Sequence, residues 1–149
     1  MRASDIAVQV PTVTLGDPVS HAVRVMTKNH LPGLIVIDEN RKPRLVIPGT
    51  QVLRMAVLHS YQDDPALVRT IDEAHADLFW QEPGNRTVGD CLPPKPEKAV
   101  TALPDATMLE LATSMLRKRS PLVAVVDKAG VLIGAITLNR LLDILTVPE

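Results

Sequence analysis

The sequence predicts an α/β (α+β) fold made from one small unit used twice, and three observations carry that prediction. Residues 121–142, PLVAVVDKAGVLIGAITLNRLL, repeat the design of residues 32–53, PGLIVIDENRKPRLVIPGTQVL. Each copy runs from a proline through an apolar strand to an aspartate (34–38 and 123–127), then through a polar turn into a second apolar strand (45–47 and 135–136) and a leucine-rich segment. The only aromatics, Tyr61, Phe79 and Trp80, lie between the copies, so both cores must be aliphatic. From Met26 and Met115 the copies align without a gap to Leu53 and Leu142.

Taken in order, residues 3–11 are an entry segment in which Ser4-Asp5-Ile6 is echoed by Gly89-Asp90-Cys91 before the second copy. Residues 13–15 and their counterparts 100–103 read as brief strands. Asp17 is the expected cap of a first helix, with Pro18 at its first position, and Val19, Ala22, Val23 and Met26 recur at helical spacing towards an end near Asn29. The echo has Asp105 as cap and Met108, Leu111, Ala112 and Met115 at the same spacings. Lys128-Ala129-Gly130 suits a tight hairpin, and residues 39–43 form a stiffer, more charged turn; both predict antiparallel pairing. Each repeat is thus strand, helix, strand, strand, helix. So few short strands cannot bury two helices alone, and the two units must pack together.

Residues 59–86 are an insertion. Asp63-Asp64-Pro65 starts a helix whose apolar face is Leu67, Val68, Ile71, Ala74, His75 and Leu78, up to Phe79-Trp80, and residues 82–85 end it. Residues 92–98, with Pro93, Pro94 and Pro96, form a stiff extended connector. The expected organisation is residues 1–60 as the first repeat, 61–86 as inserted helix and linker, and 87–149 as the second repeat, the two repeats making one compact module.

A net charge of −1 over 149 residues gives no general reason to bind nucleic acid or a membrane surface. No run reaches the roughly 18 apolar residues of a membrane helix, and the amino terminus is too polar for a signal peptide. The single cysteine, Cys91, cannot form an internal disulfide. These features predict a soluble, cytoplasmic protein. No nucleophile elbow, phosphate loop or acid/base carboxylate pair is visible. His21, His30, His59, His75 and Cys91 lack metal-ligand spacing; Asp72 and His75 share a helix face without a second pair, which reads as a surface or packing role. Neither catalysis nor a metal is expected.

A strand ending Val-Val-Asp, a turn with glycine, and then Gly134-Ala135-Ile136-Thr137-Leu138-Asn139-Arg140-Leu141 resemble the CBS domain, named after cystathionine beta-synthase. Pro-x-x-x-Val-Val-Asp and Gly-x-Ile-Thr, in this repeat order, make a strong combined signal over about four fifths of the chain, all but the insertion. The resemblance implies a tandem pair, or Bateman module: two three-stranded sheets covered by helices, related by a pseudo-twofold axis, with clefts between the repeats. In many relatives those clefts bind AMP, ATP or S-adenosylmethionine, and the module regulates an attached or partner protein. Carried onto this chain, it points to Thr101, Arg119, Pro121, Leu122, Val123, Thr137, Asn139 and Arg140 as candidate ligand-binding residues.

Thr137 stands where strand becomes helix, so its hydroxyl can cap the helix, alone or while first-turn amides face a phosphate. The family usually places a ribose-binding aspartate three residues later; here that residue is Arg140, and its counterpart in the first repeat is Gln51. Arginine in a first helical turn opposes the helix dipole at a cost of about 0.3–1 kcal/mol unless an anion compensates. Arg140 is therefore either a solvated side chain or an anion contact aided by Arg117-Lys118-Arg119, a basic run that also suits a helix carboxyl end. These residues predict one anion-capable cleft, in the second repeat. In the first repeat Pro48 offers no hydroxyl, and Gly49-Thr50 is expected to delay the helix start.

The helices containing Met108, Leu109, Leu111, Met115 and Leu116, and Leu138, Leu141, Leu142, Ile144 and Leu145, are apolar on more than one face, as is the segment 52–58. That pattern fits burial on two sides, either in a wide monomer core or, as expected for so short a chain, against a second subunit in a homodimer. Phe79 and Trp80 are either a plug over the module or an anchor for a partner. The expected function is a regulatory module sensing an adenine nucleotide or related anion. The alternative is a ligand-free interaction module docking a transporter or enzyme.

Overall fold

A computed structural model describes residues 1–57 and 86–146. The inserted helix expected over 63–80, with Tyr61, Asp72, His75, Phe79 and Trp80, and His59 lie outside the described residues. Two sheets form. In the first, β1 (Gly33–Ile37) pairs antiparallel with β2 (Pro43–Pro48). In the second, β3 (Thr101–Ala102) runs parallel to β4 (Leu122–Val126), which pairs antiparallel with β5 (Leu132–Thr137). The first repeat lacks a counterpart of β3 as a full strand: of residues 13–15, only Val13 makes a bridge, parallel to Val36.

Five helices accompany the sheets among the described residues: α1 (Ala3–Ile6), α2 (Val19–Lys28), α3 (Gly49–Ala56), α4 (Met108–Lys118) and α5 (Leu138–Leu145). Neither aspartate expected to cap does so. Pro18 is the N-cap residue of α2, and Asp17 instead accepts the Thr14 amide at 2.8 Å, closing the turn before the helix. Thr107, two residues after Asp105, caps α4 in a reciprocal box with Glu110. A Thr followed three residues later by Glu was the stronger signal.

The repeat extends to single residues. Asp38 Oδ1 accepts the amides of Asn40 and Lys42 at 2.9 and 3.0 Å; Asp127 Oδ1 accepts those of Ala129 and Val131, both at 2.9 Å. The Lys42 amide, foremost, holds the Asp38 carboxyl below its ordinary range. Arg41 at φ 60° and Gly130 at φ 87° occupy the same left-handed turn position, and His30 and Arg119 both end helices in that region, at φ 52° and 51°. Val36 and Val125 are both fully buried, Val36 bridged in parallel to Val13 and Val125 paired in parallel with Ala102.

The leading segments are exchanged between the repeats. Ala3 and Ser4 donate their amides to the carbonyls of Ala106 and Pro104, while Val88 and Gly89 donate theirs to Asp17 and Leu15. Ala3 and Ile6 are thereby buried in the second repeat's core with Leu111, Met115 and Ile136, and Val88 lies in the first repeat's core with Val19, Leu34 and Val52. A third cluster, with Ile35, Leu122, Ala124 and Ala135, joins the two sheets, and β1 packs on β4. No helix among the described residues is long and apolar enough to cross a membrane.

The left-handed turn is open around Gly130, where an added Cβ would meet only the Lys42 side chain, at 3.9 Å. Sterics are therefore not limiting and conformation alone decides. Gly130→Ala is expected to lower unfolding free energy by about 1 kcal/mol, and Arg41→Gly to raise it by about 0.5–1 kcal/mol, measured by urea denaturation.

Candidate functional site

A cleft of about 220 Å³ lies between the repeats. Its floor is the end of β2 and the start of α3, through Ile47, Pro48 and Gln51. One wall is the connector, which contributes Lys95, Glu97 and Lys98; the other is the end of α4, with Lys118, Arg119 and Ser120. Beside it a larger, mostly apolar hollow of about 580 Å³ lies over Pro32, Pro48, Met115, Leu116, Pro121 and Leu138. Arg119 and Ser120 line both.

Each wall is fixed by the backbone. The connector begins at a 3-10 turn (Gly89–Cys91), where Asp90 Oδ2 accepts the Thr87 amide at 3.1 Å. That bond, first, and one to the Thr87 hydroxyl lower the Asp90 pKa, while burial raises that of the Cys91 thiol. Further along, Lys98 bridges Leu45 and the Ala99 amide donates to the Arg44 carbonyl at 3.0 Å, so the connector follows the edge of β2. Across the cleft, the left-handed Arg119 ends α4, and the Ser120 amide reaches back to the Met115 carbonyl. The Ser120 hydroxyl is occupied by the Leu122 carbonyl at 2.7 Å.

The helix start at the floor differs from expectation. α3 begins at Gly49, with Pro48 as N-cap residue, and is not delayed. Pro48 (ψ 154°) is as extended as Thr137 (ψ 156°), and the first amides of both helices are held alike: Gly49 donates to the Pro32 carbonyl and Leu138 to that of Pro121, each at 2.9 Å. The repeats differ in the side chain. Thr137 Oγ1 accepts the Arg140 amide at 3.1 Å, whereas no side chain caps α3.

The eight residues singled out in the second repeat are dispersed. Arg119 and Pro121 line the apolar hollow. Thr137, half-buried, and the exposed Asn139 and Arg140 make the start of α5. Thr101 is exposed on β3, and the side chains of Leu122 and Val123 are enclosed in the cores, leaving only their backbone for a ligand. The connector lysines Lys95 and Lys98 were missed. Their signal was lysine interleaved with proline in PPKPEK, which gives a rigid backbone but says nothing of the edge it will follow. Among the described residues no group of three or more His, Cys, Asp or Glu could hold a metal.

Residues 3–55 and 88–147 match the family model of the CBS domain. The chain belongs to the CBS domain family. A crystallised CBS domain-containing protein of unknown function from Kribbella flavida is 42% identical, with 99% of each chain covered and a TM-score of 0.81. The CBS domain of a CBS domain-containing membrane protein from Sphaerobacter thermophilus shares the fold at 21% identity and TM-score 0.70, over 99% of this chain and 90% of that one. So does CBSX2, crystallised with AMP, at 19% identity and TM-score 0.67, over 97% of this chain and 95% of that one. No curated protein sequence matches.

Because the Asp90 pKa is lowered in the folded protein, its contribution to stability is complete above the ordinary carboxylate value of 3.8 and is lost as pH falls through the lower, folded value. Chemical denaturation at successive pH values is expected to show stability falling below about pH 4, less steeply in Asp90→Asn.

Proposed function

We propose that this protein is a regulatory module rather than an enzyme. It binds an adenine nucleotide or related anion between its CBS repeats and passes its state to a partner protein in the cytoplasm. The observation that carries this reading is the inter-repeat cleft with Lys95, Lys98, Lys118 and Arg119 around it. Family membership supports it, and CBSX2, of the same fold, has been crystallised with AMP. Of the eight residues the family resemblance singles out, Arg119 is the one that lines this cleft. The start of α5, at Thr137 and Arg140, is the pseudo-symmetric position for a second anion.

Ligand in this cleft touches the first repeat through Gln51 and the second through Arg119. It can shift the orientation of the repeats only by binding one arrangement better than another, and groups drawn from both halves supply that difference. The absence of a carboxylate at Gln51 and Arg140 favours a second reading, an interaction module without ligand that docks a transporter or enzyme.

A melting screen against AMP, ADP, ATP, S-adenosylmethionine and guanine nucleotides tests the first reading. Ligand at about 100 times its dissociation constant adds roughly 2.7 kcal/mol. At least one adenine compound is expected to raise the melting temperature, and Arg119→Gly, which relaxes the left-handed residue while deleting the cation, is expected to diminish that rise. No shift with any compound favours the interaction module.

The module is proposed to be a homodimer. Leu109 and Leu116 on α4 are 77% and 78% exposed, and Leu142 and Leu145 on α5 are 47% and 60% exposed. Since α4 and α5 pack together, the four leucines belong to neighbouring helices, and a twofold partner would cover them. Sedimentation is expected to give a dimer at micromolar concentration, and Leu116→Glu a monomer.

A further inference from the structure

The charge on the cleft is unevenly distributed between the repeats, and that asymmetry bears on what it binds. Among the described residues four cations and one carboxylate, Glu97, line it. Among the described residues none of the four cations is within ion-pair distance of a carboxylate; the ion pair found joins Arg44 and Asp38 at 3.9 Å. Unpaired like charges gathered in one cleft raise its positive potential, which a polyanion relieves.

Helix capping does not account for all four. Lys118 and Arg119 complement the carboxyl end of α4, as Lys28 does for α2. Lys95 and Lys98 sit at no helix end. They stand on a connector stiffened by Pro93, Pro94 and Pro96 and pinned along β2, so little backbone entropy remains to be lost when they meet a ligand. The matching stretch before the first repeat, residues 7–11, is AVQVP and carries no charge, and the counterparts of Lys118 and Arg119 are Asn29 and His30. Among the described residues, both wall segments are thus basic beside the floor of Pro48 and Gln51, and their counterparts in the other repeat carry no Lys or Arg. Its floor offers a neutral amide, Gln51, and among the described residues the lining has no aromatic ring for a base to stack on.

We infer that this cleft recognises a polyphosphate chain, as carried by a nucleoside di- or triphosphate, through Lys95, Lys98, Lys118 and Arg119, and that it reads phosphate number in preference to base or sugar. The inference rests on the sensing reading above and narrows its ligand class. Selection by charge gives an affinity that climbs with each phosphate, changes little from adenine to guanine, and weakens with salt.

Titration calorimetry at low ionic strength with AMP, ADP, ATP, GTP, S-adenosylmethionine and inorganic tripolyphosphate tests it. ATP is expected to bind at least about tenfold more tightly than AMP, GTP within about threefold of ATP, and tripolyphosphate to displace ATP. The double variant Lys95→Ala with Lys98→Ala is expected to weaken ATP by about tenfold without lowering the melting temperature of the free protein. AMP or S-adenosylmethionine binding as tightly as ATP, failure of tripolyphosphate to compete, or unchanged ATP affinity in the double variant would overturn the inference and leave the sensing reading standing. No binding by any nucleotide or by tripolyphosphate would remove both.

Discussion

The structure depends on the contact between its two sheets across the pseudo-twofold axis. A two-stranded and a three-stranded sheet are each too small to bury both of their faces, and among the described residues the helices pack on one face of each. The other face must find the other sheet. It does so through Ile35 on β1 and its counterpart Ala124 on β4, with Leu122, Leu132 and Ala135 around them. The equivalent positions hold a large residue in one repeat and a small one in the other, so the cluster mixes side-chain sizes as close packing requires. Gly33 belongs to the same economy of space: a Cβ there would lie 2.6 Å from the Ile47 carbonyl oxygen and 3.3 Å from the Pro121 ring. The backbone of β1 therefore sits hard against both its own hairpin partner and the second repeat.

Exchange of the leading segments makes this contact harder to undo. Ile6 fills the second repeat's core and Val88 the first's, so separating the repeats would empty a site in each. Asp5 and Asp90 fix the two segments by the same device, each accepting the amide three residues before it. The connector that carries Lys95 and Lys98 is consequently held at both ends, by Val88 in the first repeat's core and by Thr101 beside Ala124 in the second sheet.

Much of this was legible in the sequence, for identifiable reasons. The hairpins followed from strand periodicity and turn chemistry, and the Thr137 cap from its place between strand and helix, all local properties of a few residues. Local signals also misled. Asp17 and Asp105 look like caps, but Asp17 bonds within the preceding turn and Thr107 with Glu110 outcompetes Asp105. The start of α3 is not legible locally, because the Pro32 carbonyl, remote in sequence, holds the first amide where no hydroxyl caps the helix. The basic cleft was beyond reach for a different reason. Its walls are about twenty or more residues apart in sequence, and only the exchange of leading segments brings the connector beside the end of α4.

That exchange also explains why two similar repeats need not offer similar clefts. The basic cleft takes its floor from the first repeat, a wall from the helix end of the second, and another wall from the leading segment that crosses over. The strands and helices of the floor carry the fold, so their residues are constrained by burial on both sides. The crossing segments need only their backbone bonds and one or two apolar anchors, leaving the intervening side chains free to vary. In the first segment those side chains are AVQVP; in the second they include two lysines held among prolines. A tandem fold with near-equal cores can therefore acquire one strongly basic cleft by changing a few connector residues, at no cost to the sheet contact on which both repeats rest.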